Sequence, residues 1–429
     1  MKNLLTFLLL ATMVLAANAQ TKSAKKSPPL VEAAPESAGL SAERLARITS
    51  MLEASVAEGD IPGAVALVAR NGKIVYWKAF GMADNASQRP LKRDDIFRIA
   101  SQTKAITTTA VMMLWEEGQF QLDDPISKFI PEFKNPQVLK DFRYSDTTWT
   151  AEPARSEITI RQLLAHTSGL GYGVIDGDER FKMMYHKAGV TDLFTTENTS
   201  IAESVKKLAR LPLHHQPGEK FTYGEGLDVL GYLVEIVSGE PYDVFLKKHI
   251  FDPLGMSDTY FYLPSEKAPR LVSVQQVKDG QWQRYPVTFY DTDYPIKGAK
   301  RFFSGGAGLS STAKDYAAFL QMYLNGGELN GTRLLSRTTV ETILANQTGS
   351  FFGTDSYFSL AYAVVTEQGM AKGGRGSIGT FDWGGYFNTQ YFADPKENII
   401  GILMKQTQGP TNDKTGWKFR QLVFQSVDD

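Results

Sequence analysis

The order of strand-like and helix-like segments constrains this chain most: strands stand at both ends and helices fill the middle. After a helix capped by Ser41, the runs Ala64–Ala69 and Lys73–Trp77 flank Asn71-Gly72, the strongest short hairpin signal. Near the other end, Tyr362–Thr366, Phe381–Phe392 and Ile399–Lys405 read as strands, and residues 417–426 as a closing helix. The loops between these strands are short, so the two ends of the chain assemble one antiparallel sheet. Between them, 102–117, 159–166, 199–210, 226–238, 242–250, 312–324 and 336–345 carry helical periodicity. Gly118, Pro217-Gly218, and Thr312 with Asp315 as a capping box mark helix ends. The expected fold is α/β (α+β). Residues 41–100 and 300–429 form the sheet domain with flanking helices, and 101–299 an inserted, mainly helical domain. A cleft between two such units suits a small-molecule site.

The first forty residues stand apart. Lys2 precedes the apolar run Leu4–Ala17, and Ala17-Asn18-Ala19 follows as a small-x-small site before Gln20. That layout predicts a signal peptide at 1–19, cut after Ala19, and a periplasmic or secreted protein. The run is shorter than the ~20 residues of a membrane span. Residues 20–40 are small, polar and Pro-containing, which predicts a flexible leader.

Composition removes several function classes. The chain has no cysteine among 429 residues, which excludes thiolate nucleophiles, zinc ribbons and iron–sulfur ligation. Its 46 basic and 47 acidic residues give a formal net charge of −1, which argues against nucleic acid as a partner. Five histidines without an HExxH pattern argue against a metalloprotease.

A nucleophilic serine remains. No G-x-S-x-G elbow is present, so the α/β-hydrolase reading fails at its first requirement. The alternative signature, S-x-x-K, occurs four times: Ser23/Lys26, Ser101/Lys104, Ser204/Lys207 and Ser311/Lys314. Ser23 falls in the leader, Ser204 on a polar helix face read as solvated surface, and Ser311 beside Thr312 as a helix cap. Ser101 differs, because it joins the apolar Ile96–Ala100 to a long apolar helix. There the serine and lysine lie one above the other, with Cβ atoms roughly 5–6 Å apart. A serine hydroxyl needs a base to accept its proton. A lysine short of water at a helix N-terminus is pushed towards the neutral amine, and the same terminus offers N–H groups to an oxyanion. A helix cap plus a surface lysine is the plain alternative.

Ser101-Gln102-Thr103-Lys104, Pro212–Gly231 with Tyr223, Ile158–Leu170 and Trp383-Gly384-Gly385 occur in that family's order: the set resembles the serine β-lactamase and penicillin-binding protein superfamily, nearest its class C-like carboxylesterases. The resemblance runs from about Ser41 to the last helix and includes Phe251–Met256 and Gly305–Leu309. It implies Ser101 as acylated nucleophile, Lys104 as its activator and Tyr223 as proton relay. Tyrosine titrates at about 10 in water, so it serves as a base only beside a cation. The resemblance also implies an oxyanion hole from the backbone N–H groups of Ser101 and Tyr386. Trp383, Gly384, Gly385 and Glu225 become substrate-binding positions, the partner a small-molecule ester, amide or lactam, and the resemblance implies no cofactor and no metal.

Two departures from that pattern matter. Lactamases and transpeptidases carry Lys-Thr-Gly at the third motif; Trp383 supplies no cation there, which favours a neutral ester. Lys372 or Arg375 are alternative sources of that charge. Tyr223-Gly224-Glu225 replaces Tyr-x-Asn, and a carboxylate beside Lys104 opposes its use as a base, so either Glu225 points away or Tyr223 carries more of the proton transfer. His166 reads as a hydrogen-bonding turn residue, and adjacent His214 and His215 as divergent. Tyr172–Tyr185 reads as a lid or a solvated loop, and Phe289, Tyr290, Phe302 and Phe303 as an acyl pocket or as core. The expected activity is ester hydrolysis through an acyl-serine. β-Lactam or D-amino-acid peptide hydrolysis is the alternative within that chemistry, and a penicillin-binding sensor without turnover the alternative outside it.

Overall fold

The computed structural model describes residues 21–24 and 26–429; the predicted signal peptide lies outside them. The main sheet has nine strands: β1 (Val31–Glu32), β2 (Gly63–Arg70), β3 (Lys73–Asp84), β4 (Arg89–Pro90), β5 (Ser356–Phe358), β6 (Ala363–Val365), β7 (Phe381–Gly384), β8 (Gln390–Asp394) and β9 (Ile399–Met404). Their order is β5-β6-β7-β8-β9-β2-β3-β1, with β4 paired to β3. All pairings are antiparallel except β1 on β3. The β9–β2 pairing, Ile399↔Arg70 to Met404↔Val65, stitches the two ends of the chain together.

All eight residues of β2 are buried, because both faces of the sheet are covered. With side chains alternating, Ala64, Ala66 and Val68 pack with Leu45, Ile48 and Leu52 of α1 (Ala42–Ala57) and with Phe419 and Val423 of the last helix, Thr415–Phe424. Val65, Leu67 and Ala69 face the larger core, shared with α2 (Thr103–Glu116). α2 is buried on every side from Thr103 to Leu114, as expected of a helix at the centre of a molecule. Its threonines are satisfied: Thr107 bonds the Gly305 carbonyl and the Tyr242 hydroxyl, and Thr109 the Tyr323 hydroxyl.

The middle is helical, with α3 (Ile160–Leu164), α4 (Glu179–Ala188), α5 (Ile201–Leu208) and α6 (Gly226–Ser238). It also holds two hairpins that the sequence reading lacked, Gln137–Arg143 with Thr148–Pro153 and Gln275–Lys278 with Gln281–Arg284. Their strands are largely exposed, so no apolar alternation announces them. The single strand expected over Phe381–Phe392 is two strands, β7 and β8, folded back at Gly385–Thr389. Thr312 caps its helix on the Asp315 N–H, but the Asp315 carboxylate turns to the Asp258 N–H and the Thr259 hydroxyl, so the expected box is one-sided.

The leader, expected to be flexible from its composition, bonds to the rest of the chain. Thr21–Lys22 pairs with Thr332–Arg333, the Ser27 N–H reaches the Glu328 carboxylate, and β1 lies on the open edge of β3. An exposed strand edge recruits such extended segments. Among the described residues no helix is long and apolar enough to cross a membrane.

Candidate active site

Phe97–Arg98 forms a short bridge to Ser310–Ser311 and delivers the chain to Ser101. The fully buried Arg98 guanidinium fixes this approach, donating to the carbonyls of Val272 (2.6 Å) and Thr292 (2.5 Å). The Gln406 amide accepts from the Arg98 N–H at 3.2 Å and donates to its carbonyl at 3.0 Å, like a neighbouring strand. Ala100 then takes φ +43° while wholly buried. A left-handed alanine is strained backbone, of a kind that collects at functional turns. A 3-10 turn, Ala100–Gln102, follows, and Ser101 sits half-buried at the head of α2.

One turn on, Lys104 is 2% exposed. Its Nζ donates to the Tyr172 hydroxyl at 2.8 Å and to the Gly306 carbonyl at 2.7 Å, and stands 4.6 Å from the centre of the Tyr223 ring. The Gly306 carbonyl reaches Lys104 because the loop is glycine: a Cβ on Gly306 would lie 2.4 Å from Asp228 Oδ2. Burial holds the Tyr172 phenol well above its usual range, and the neighbouring Tyr223 and acidic side chains act in the same direction. Tyr172 therefore stays a phenol. Neither a lid nor a solvated loop, the two expectations for the segment that Tyr172 opens, assigns it this contact.

The third motif closes on the same point. Trp383 Nε1 donates to the Tyr223 hydroxyl at 3.1 Å, with ring centres 5.5 Å apart. Gly384 lies at the end of β7, and a Cβ on Gly385 would fall 2.4 Å from the Ile99 carbonyl, so this backbone runs directly against the approach to Ser101. The Gly385 N–H bonds the Thr389 carbonyl and the Asn388 N–H bonds Gly385; neither uses the Tyr386 N–H. Asn388, at φ +70°, is anchored by Asp413 and Thr407.

His166 supports Tyr223 from behind, as a turn residue at φ +56°. Its carbonyl accepts the Thr222 N–H, its Nδ1 accepts the Gly224 N–H at 3.3 Å, and its ring lies 4.5 Å from that of Tyr223. Burial, then the Lys104 charge, holds the imidazole well below its usual range, so it is neutral.

Glu225 meets Asp192. Asp192 Oδ1 and Glu225 Oε1 find no N–H or O–H donor, while the two carboxyls are hydrogen-bonding neighbours. One proton between them satisfies both. Burial first, then Asp192 and Asp228, holds Glu225 well above the usual carboxyl range, so Glu225 carries that proton. Asp192 Oδ2 in turn takes the N–H groups of Gly173 (2.7 Å) and Val174 (2.6 Å). The pair thus ties the Tyr172 loop to the Tyr223 loop. A raised folded-state pKa gives stability that is full below the unfolded value of about 4.5 and is lost as pH rises through the folded value. Glu225→Gln keeps a donor to Asp192 and cannot ionise. Its melting temperature should gain on wild type as pH rises above about 4.5; a constant difference would contradict the shared proton.

The remaining candidates separate. Ser204, read as surface, is 2% exposed and bonded to both the N–H and carbonyl of Thr191, because α5 turns that face inward. Ser311 lies in a strand bridge and bonds Thr259; the cap is Thr312 alone. Ser23 accepts from Arg333. His214 approaches Asp176 at 3.2 Å while His215 bonds Gln216 and Thr222, so their side chains diverge. Lys372 and Arg375 both turn to Asp355, at 2.7 and 3.9 Å. No cluster of three potential metal ligands occurs among the described residues.

The model of the Beta-lactamase family matches residues 48–425 of the chain. The chain belongs to the Beta-lactamase family. Within it, the chain is similar to esterase EstB of Burkholderia gladioli, 31% identical over 380 residues, 84% of this chain and 90% of that protein. Lovastatin esterase of Penicillium rubens is 30% identical over 377 residues, 82% and 90% of the two chains. Among solved structures, EstCE1, a hydrolase with promiscuous acyltransferase activity, superposes with a TM-score of 0.75 at 25% identity, covering 90% of this chain and 98% of its own. This Beta-lactamase-family chain therefore has the β-lactamase-type fold and relatives that are hydrolases, esterases among them.

Proposed function

We propose that this protein is an exported serine hydrolase that cleaves neutral carboxylic esters through an acyl-Ser101 intermediate. The observation that carries the reading is the surroundings of Tyr223. Its oxygen accepts the Trp383 N–H at 3.1 Å and its ring faces the Lys104 ammonium at 4.6 Å. A nearby cation and a donated hydrogen bond are the contacts that suit a proton-relaying tyrosine. Tyr223 takes the Ser101 proton as Oγ attacks the ester carbon, and the N–H groups of Ser101 and Tyr386 receive the oxyanion. Collapse expels the alcohol, which takes the proton back from Tyr223. Water then adds to the acyl-enzyme by the same route and releases the acid.

Ester specificity is supported by the third motif. Trp383 offers an apolar wall and one N–H, which is already given to Tyr223. Lys372 and Arg375, the alternative cations, are held by Asp355. A penicillin or peptide carboxylate thus lacks its anchor. Purified protein should turn over p-nitrophenyl butyrate far faster than nitrocefin; equal rates would install lactam hydrolysis instead, and stable labelling by fluorescent penicillin without turnover would install the sensor reading. Trp383→Phe keeps the wall and removes one neutral donor worth about 0.5–1.5 kcal/mol, so kcat should fall by about twofold to tenfold. An unchanged kcat would free Tyr223 of any dependence on that bond. Export is testable separately: N-terminal sequencing of protein from the producing cell should begin at Gln20.

A further inference from the structure

A cavity of about 580 Å³ opens beside α4, with Met183, Val174, Phe289, Asp192 and Gly173 in its lining. Glu179, Lys182, Met183 and His186 share one face of α4, at helical spacing. Val174 and Phe289 are 41% and 44% exposed, so two large apolar side chains stand open at its mouth.

The cavity neighbours the candidate active site on two sides, across the buried Tyr172 and Tyr290. Gly173 follows Tyr172, whose hydroxyl touches Lys104. Phe289 packs on Tyr290 (ring centres 4.7 Å), and Tyr290 meets the ring of Tyr386 (6.3 Å). The charged groups around it are engaged. Lys182 pairs with Glu179 at 3.2 Å and Lys187 donates to the Asp146 carbonyl at 3.0 Å. Asp192 is filled by Gly173, Val174 and the Glu225 proton. Apart from Thr147, Tyr185 and His186, what remains to recognise a ligand is apolar contact, in a volume suited to a drug-sized group.

We infer that this cavity receives the apolar end, acyl chain or alcohol, of the ester whose carbonyl is held at Ser101. The inference rests on the reading of Ser101 as nucleophile. A long neutral chain or ring fills it; a charged one is not matched there.

The test compares kcat/KM for p-nitrophenyl acetate, p-nitrophenyl octanoate (long acyl) and octyl acetate (long alcohol) in wild type, Met183→Asp and Phe289→Asp. At least one long ester should exceed p-nitrophenyl acetate by tenfold or more in wild type, and which one does assigns the chain to acyl or alcohol. The long-to-short ratio should drop at least fivefold in each variant. Partial misfolding lowers both rates together and leaves the ratio untouched, so an unchanged ratio overturns the inference. Calorimetric binding to Ser101→Ala protein separates this from the catalytic reading. Tighter binding of octyl acetate than of ethyl acetate, lost with the added Met183→Asp, supports the cavity even if wild type turns over no ester. Equal binding of the two rejects the cavity even if it does.

Discussion

Ser101→Ala should lower p-nitrophenyl butyrate hydrolysis by more than ~1,000-fold, the scale of losing a serine nucleophile, and abolish labelling by a fluorophosphonate. The fold should survive. Ser101 is half-buried and its neighbours are held by Arg98 and Gln406 rather than by its own hydroxyl, so the change should stay within about 1 kcal/mol of stability. Residual activity above a tenth of wild type would remove Ser101 from the mechanism. The other S-x-x-K serines offer no refuge for the role: Ser204 and Ser311 are buried and bonded elsewhere.

Lys104→Ala and Tyr223→Phe should each lower kcat by at least ~100-fold, the reach of a general base. The double variant should cost little more than the worse single one, because both residues act on one proton. Fully additive losses would place them in separate steps. The two changes differ in stability. Lys104→Ala leaves the Tyr172 oxygen and the Gly306 carbonyl without their buried donor, at about 1–3 kcal/mol, so its kinetics must be taken well below its melting temperature. Tyr223→Phe leaves only the Trp383 N–H unanswered.

Ser101 and Lys104 were legible because a helix turn fixes their relation whatever the rest of the fold does. Tyr223 and Trp383 were legible only through the resemblance, since 160 residues separate the partners of their hydrogen bond. The Tyr172–Lys104 contact had no sequence signal: a tyrosine in a glycine-rich loop looks like solvated surface until α2 and the loop pack together. Glu225 shows the same limit from the other side. Its sequence position suggested a carboxylate opposing Lys104, and the burial and Asp192 partner that keep it neutral come from the fold, Asp192 lying 33 residues earlier with α5 between. The sheet assembled from both ends of the chain was readable from alternation and short turns. The two exposed hairpins of the middle were not, because strands open to water carry polar residues on both faces. Ala100 marks a third kind of silence, a strained φ that no alanine announces.

The central claim is a covalent bond at Ser101, and mass spectrometry reads it directly. Wild-type protein, treated with a fluorophosphonate and digested with trypsin, should carry one adduct on the peptide Ile99–Lys104, absent after Ser101→Ala. An adduct on another peptide, or none on a protein that hydrolyses p-nitrophenyl butyrate, would contradict the account.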